Sequence, residues 1–325
     1  MNPAMLSTLL ALGLVVSALL GPPLLREAEP ALARVPRLAL GLLQAVVLVW
    51  IVALLALGPL TAWAIAGPVW LPEGWAVICQ RCVAAANPFT NGTVDVGVPR
   101  VLLLVLPLIA AVLLAVGVGA ELRQRRRVAR VTGALLLQGA VRARVLGHDV
   151  NVVPDARPFA LALPRDHGGI VVSTGALEQL DTDELLAVLE HESAHLSQRH
   201  HRAQDVVVSL CRYTRWVPLL RAVEKAFPAY LEIAADDRAR ARTGTLPLVG
   251  ALLKFGDATL PVPGRPGTAA LHAAGPERVR ALVNPATGAS GRVPALVVGG
   301  YLLLLLGGSA VVHIPYLAAA LGRCM

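Results

Sequence analysis

Charge is what this 325-residue chain has least of: 15% of its residues are Asp, Glu, Lys or Arg, against about 25% in an ordinary soluble domain. With an apolar share of 56% and a mean hydropathy of +0.64, that shortage excludes a wholly water-facing protein and predicts that part of the chain sits in lipid. Cysteine is scarce too. Of four, only Cys79 and Cys82 lie close together, and their Cys-Gln-Arg-Cys stretch lacks the second pair that a zinc ribbon needs. It can close a small disulfide in an oxidising compartment. Cys211 reads as a buried small hydrophobe, and Cys324 as a tail residue without a role. No basic residue precedes the first apolar run, which favours a retained anchor over a cleaved signal peptide. Apart from His313, the apolar runs lack the ionisable side chains that usually mark a transport pathway.

What charge there is lies unevenly. Residues 1–120 hold nine charged side chains and 294–325 hold Arg323, so forty of the fifty fall within 121–293, with seven of the eight histidines. The remainder contains four uncharged runs long enough to cross a bilayer: Pro3–Leu25, Leu38–Gly67, Val101–Ala120 and Pro294–Leu321. The second exceeds one span and contains Pro59, so a tilt, kink or interfacial turn is expected there. The expected fold is mainly α, with three transmembrane helices in 1–120, a charged segment at 121–293, and a fourth transmembrane helix with a short tail in 294–325. Arg26, Arg34 and Arg37 follow the first run, and the cluster Arg123 to Arg130 follows the third, whereas Arg81 alone lies in the loop 68–99. By the excess of basic residues in cytoplasmic loops, the amino terminus and loop 68–99 lie outside and the charged segment lies in the cytosol. An arginine cluster abutting an apolar run reads as an anchor on anionic lipid, and no direct nucleic-acid binding is expected.

Within the charged segment, Phe159–Leu163 and Ile170–Ser173 are short apolar runs joined by Pro-Arg-Asp-His-Gly-Gly, the pattern of a β-hairpin. After Gly175 the pattern turns helical. Asp181 supplies an N-cap oxygen, acidic residues follow in the first turn, and a helix runs from about Thr182 to Gln198. Its second half reads His191-Glu-Ser-Ala-His195. Residues four apart share a helical face, so both imidazoles can bind one Zn²⁺ per chain, while Glu192 reaches the water in the open position and takes its proton.

A third ligand is needed. The pattern H-E-x-x-H-x-x-G-x-x-H puts it at His201, but Gln198 occupies the glycine position, and a continuing helix carries His201 away from the site. Glu232 lies 37 residues beyond His195, far enough for a second helix to return antiparallel. Glu232 and Asp236 share one face of it, so the glutamate can ligate zinc while the aspartate accepts a hydrogen bond from a ligand histidine.

Over roughly residues 155–285 these stretches resemble a known group. Val171-Val-Ser-Thr-Gly175, Leu185 through His195, Trp216-Val-Pro218 inside an apolar helix, and Glu232 to Asp236 are similar to elements of membrane zinc metallopeptidases of the BlaR/MecR type. Those are gluzincins related to the wider HtpX/Ste24-like peptidases. The resemblance implies an α+β peptidase domain inserted between the third and fourth spans of a bacterial plasma-membrane protein. It implies that Ile170, Val171, Val172 and Ser173 form an exposed edge strand to which substrate adds. It also implies that His272, in Leu271-His-Ala-Ala-Gly-Pro-Glu-Arg278, steadies the oxyanion. BlaR-type receptors carry a penicillin-binding sensor after the last span; this chain ends at Met325, so no such sensor is expected.

The expected function is hydrolysis of a protein or peptide substrate at the bilayer, the resemblance implying a BlaI/MecI-type repressor or the chain itself. A non-proteolytic signal transducer, whose zinc domain binds a partner, is the competing expectation.

Overall fold

The computed structural model describes residues 3–66 and 100–255, together with six helical positions between 296 and 307. Three long helices come first: α1 (Pro3–Leu32), α2 (Pro36–Ala66) and α3 (Arg100–Leu136). Each contains a stretch long and apolar enough to cross a membrane, namely Thr8–Leu32, Pro36–Gly58 and Val105–Leu136. Helix is the outcome physics dictates for such runs, because in lipid every backbone N–H and C=O must be satisfied within the segment. The expected fourth span lies outside the described residues, save for those six positions, as do loop 68–99 with Cys79 and Cys82, His272 and Cys324.

The sheet follows α3. Strands β1 (Val141–Val145), β2 (His148–Val153), β3 (Ala160–Ala162) and β4 (Ile170–Ser173) stand in the order β1-β2-β4-β3, with β2 and β4 parallel and the other pairs antiparallel. The β1–β2 turn places Leu146 and Gly147 at positive φ, 47° and 86°, the geometry that suits a two-residue hairpin loop. The β3–β4 hairpin expected from the two apolar runs forms, in the register Ala160↔Val172, Leu161↔Val171 and Ala162↔Ile170.

One expectation is overturned here. β4 is not an edge strand: β2 occupies one of its hydrogen-bonding sides and β3 the other, and all four of its residues are buried. A strand with both sides taken accepts no further strand. The edge beside the helices is β3.

Five helices complete the described chain: α4 (Thr174–Gln179), α5 (Thr182–Ser197), α6 (His200–Tyr213), α7 (Pro218–Thr243) and α8 (Thr245–Phe255). One core forms where Val150, Ile170 and Val172 of the sheet meet Val188 and Leu189 of α5 and Leu248 and Phe255 of α8. A second core joins the membrane helices to the rest. Leu43, Val47 and Trp50 of α2 are buried with Val223, Phe227 and Leu231 of α7. The first half of α2, within its membrane-crossing stretch, is thus a docking face for α7.

Trp216-Val-Pro218 departs from expectation by interrupting the helix. α6 ends at Tyr213, and α7 begins with Pro218 in its first turn. Proline has no N–H to donate and disfavours helical backbone at the residue before it, so the chain breaks there and restarts.

Candidate metal centre

Helix α5 is fixed at both ends before it presents any chemistry. At its start, Asp181 Oδ1 accepts from the Glu184 N–H at 2.9 Å and Glu184 Oε2 accepts from the Asp181 N–H at 2.9 Å, a reciprocal capping box. Lys254 of α8 reaches the same Glu184 carboxylate. Near the motif, buried Glu190 accepts from Arg242 Nη1 of α7 at 2.9 Å and faces His148 Nε2 of β2 at 3.5 Å. These ties, with Ala187, Val188 and Leu189 buried on the core side, set the rotation of α5 and hence the direction of the next residue, His191.

His191, Glu192 and His195 are all buried. α7 returns along α5 and brings Glu232 to the two imidazoles. His191 Nε2 lies 3.1 Å from His195 Nε2 and 3.4 Å from Glu232 Oε2, and His195 Nε2 lies 3.6 Å from Glu232 Oε1. The ligand atoms of the three residues all fall within 4.8 Å of one another, a set that can hold a metal ion. The edges of that triangle also fit zinc. Four ligands at bond lengths of about 2.0–2.1 Å in a tetrahedron stand about 3.3 Å apart.

Asp236, one turn beyond Glu232, sits with Oδ1 2.9 Å from His191 Nδ1. A hydrogen on Nδ1 donated to that carboxylate leaves the Nε2 lone pair facing Glu232, which is the tautomer a metal ligand requires. The next carboxyl along, Asp237, is pushed above its ordinary range chiefly by burial, against the pull of Arg240 and with the charge of Asp236 adding.

The partner of His195 is a residue the sequence did not single out. Arg199 takes left-handed backbone, φ 55°, so the chain turns between α5 and α6 although no glycine is present. A helix continuing past Gln198 is thus not what forms. The turn folds His200 back until its Nδ1 stands 3.0 Å from His195 Nδ1. Burial, with the charges of His191 and Arg37 adding, brings the His200 imidazole down to about 4, so at neutral pH it is uncharged and can accept the His195 proton. His201 follows, its ring stacked on His195 at 6.3 Å between centroids, but it is not among the converging ligand atoms. The signal that would have found His200 is its place five residues beyond His195, reachable only if the helix breaks.

Beside the cluster is a pocket of about 30 Å³ lined by Glu192, His201, Glu232, Pro228 and, across it, Leu161 and Ala162 of β3. That is room for a water or two. Of the strand proposed from resemblance, Ile170, Val171 and Val172 are core residues, and Ser173 is an N-cap: its Oγ accepts from the N–H of Ala176 at 3.1 Å and of Phe159 at 2.9 Å.

Residues 122–248 match the family model described as Peptidase family M48, whose members are metal-dependent. No curated protein and no solved structure matches the chain. The matched stretch contains His191, Glu192, His195, Glu232 and Asp236, and it supports a metallopeptidase of the membrane type, in keeping with the three apolar helices.

Proposed function

We propose that the chain is a membrane-bound zinc endopeptidase in which His191, His195 and Glu232 hold one Zn²⁺ and Glu192 is the general base. The observation that carries this reading is the convergence of those three side chains, at tetrahedral spacing, beside a buried glutamate. Two imidazoles and one carboxylate are a catalytic zinc donor set that leaves a coordination position open. A zinc ion in that set makes water a better acid and polarises a carbonyl. Glu192 takes the proton of the attacking water and delivers it to the leaving amine. Asp236 and His200 keep the two imidazoles in the productive tautomer and orientation.

Substrate then lies along β3 rather than β4. Leu163 N–H bonds to Gly169 O at 2.8 Å and Ser173 N–H to Phe159 O at 3.0 Å, so the odd-numbered residues of β3 pair with β4. By the alternation of an antiparallel ladder, the N–H and C=O of Ala160 and Ala162 point to the open side. An extended peptide added there runs past Glu192 and the metal ligands. The sequence element Leu271–Arg278 supports His272 as donor to the oxyanion. The arginine distribution supports a cytosolic peptidase domain with the amino terminus outside, and the motif resemblance supports a BlaI/MecI-type repressor, or the chain itself, as a substrate.

The deciding experiment is Glu192→Gln in the full chain in membranes, assayed for cleavage of co-expressed proteins and for metal content. Loss of cleavage with zinc retained supports the mechanism. Cleavage that persists in the variant sinks it, and a downstream response that persists without cleavage favours a non-proteolytic transducer.

A further inference from the structure

A cavity of about 540 Å³ opens between α1 and the first half of α7, lined from Pro218 to Tyr230 and sharing no residue with the metal ligands, and its depth in the membrane can be read from the side chains around it. Large apolar side chains stand exposed on α1 from Leu9 to Leu24 and on α3 from Val105 to Val116. A belt of that extent has a solvent in lipid and none in water. Charge begins directly afterwards, with Arg26 and Glu27 on α1 and Glu121 and Arg123 on α3. The α6–α7 turn lies at the same level. Leu219 packs against Gly21, Tyr213 packs against Gly117, Arg212 pairs with Glu121 at 3.1 Å, and the Trp216 ring meets Trp50 at 6.1 Å. Trp216 is nevertheless 68% exposed and Tyr213 44%. Exposed tryptophan and tyrosine at the end of an apolar belt mark a membrane–water interface.

The cavity straddles that boundary and is graded across it. Pro22, Leu25 and Trp216 line its apolar end, and Arg26, Arg221 and Lys225 its polar end. Arg221 and Lys225 are four apart on α7, hence on one face, opposite Arg26 of α1. Arg215 is already spent on Glu224, at 2.8 and 3.2 Å. Among the described residues no hydrogen bond or ion pair engages the side chains of Arg26, Arg221 or Lys225, and Glu29, which has an interaction of its own, is the single carboxylate on the wall.

We propose that this cavity binds the headgroup of an anionic phospholipid, with the phosphate on Arg26, Arg221 and Lys225 and the glycerol and first acyl carbons against Pro22, Leu25 and Trp216. A free phosphate has no use for the apolar wall. A zwitterionic headgroup leaves the excess of cations unmatched.

The test is lipid retention by the full-length protein, measured by native mass spectrometry in detergent with equimolar phosphatidylglycerol and phosphatidylcholine. Wild type is expected to retain phosphatidylglycerol in preference, one molecule per chain. Arg221→Gln/Lys225→Gln is expected to weaken that binding roughly thirtyfold, at the usual worth of a cation near anionic lipid. Arg26→Gln, on the other helix, is expected to weaken it roughly fivefold, and it keeps the test open if the α7 pair disturbs folding. Equal retention of the two lipids by wild type, or unchanged retention in both variants, overturns the proposal. So does displacement of the lipid by millimolar inorganic phosphate, which would mark a free-anion site.

Discussion

His195 and His200 meet Nδ1 to Nδ1 at 3.0 Å, ring edge to ring face, both buried. The contact gives His195 what Asp236 gives His191, an acceptor behind the ring that turns Nε2 toward the centre of the cluster. The two acceptors differ in kind. Asp236 is a carboxylate, whereas His200 is neutral because burial brings it down to about 4. His200→Ala is therefore expected to lower zinc affinity about tenfold to a hundredfold, the usual cost of losing a partner behind a ligand histidine. His200→Gln, which keeps an acceptor, is expected to recover part of the loss. Competition against a metallochromic chelator measures both, and equal affinity of His200→Ala and wild type would refute the role.

Glu232→Ala is expected to leave a protein that emerges from dialysis without zinc. Because metal binding to the folded form alone stabilises it by mass action, adding zinc should raise the melting temperature of wild type and leave that of the variant unmoved. Zinc retained at one per chain in Glu232→Ala would point back to His201, whose ring stacks on His195.

Glu192→Gln changes neither the three converging ligands nor Asp236. Zinc content should stay at the wild-type level while the rate of peptide hydrolysis falls by about 10²–10⁴, the range of a positioned general base. Equal loss of both would mean that Glu192 supports the fold of the site instead.

Much of this was legible in the sequence, for identifiable reasons. The apolar runs of α1, α2 and α3 needed no tertiary information, since charge-free length alone forces helix in lipid. His191, His195, Glu232 and Asp236 were legible because helical spacing of four is a local property that tertiary contacts rarely change. Three features were not. β4 reads as a strand from its β-branched residues, but whether it is edge or interior depends on β2, which pairs with it across an intervening hairpin strand and helical turn. His200 escaped because the helix stop at Arg199 carries no glycine; a non-glycine residue holds left-handed backbone there, which no local rule foretells. The α2 span was visible, but its docking to α7 was not, because Val47 and Trp50 look the same facing lipid or facing Phe227.

The position of the substrate edge yields a pair of substitutions with opposite signatures. Ser173→Ala, in interior β4, removes the acceptor of two buried N–H groups, those of Phe159 and Ala176. Each orphaned donor costs about 1–3 kcal/mol, so the melting temperature should fall clearly. Turnover per folded, zinc-loaded molecule should stay near wild type. Ala162→Pro on β3 does the reverse. Its N–H faces away from β4, so no ladder bond of the sheet is lost, and proline is tolerated on an edge strand in that orientation. What it removes is one hydrogen bond to an added substrate strand, so kcat/KM should drop about tenfold with zinc content and melting temperature little changed. Steady-state kinetics beside thermal unfolding of both variants reads this out. Should Ala162→Pro leave kcat/KM intact, substrate does not add to β3, and the route past Glu192 must be drawn from the α6 side of the pocket, where His201 and Gln204 line it.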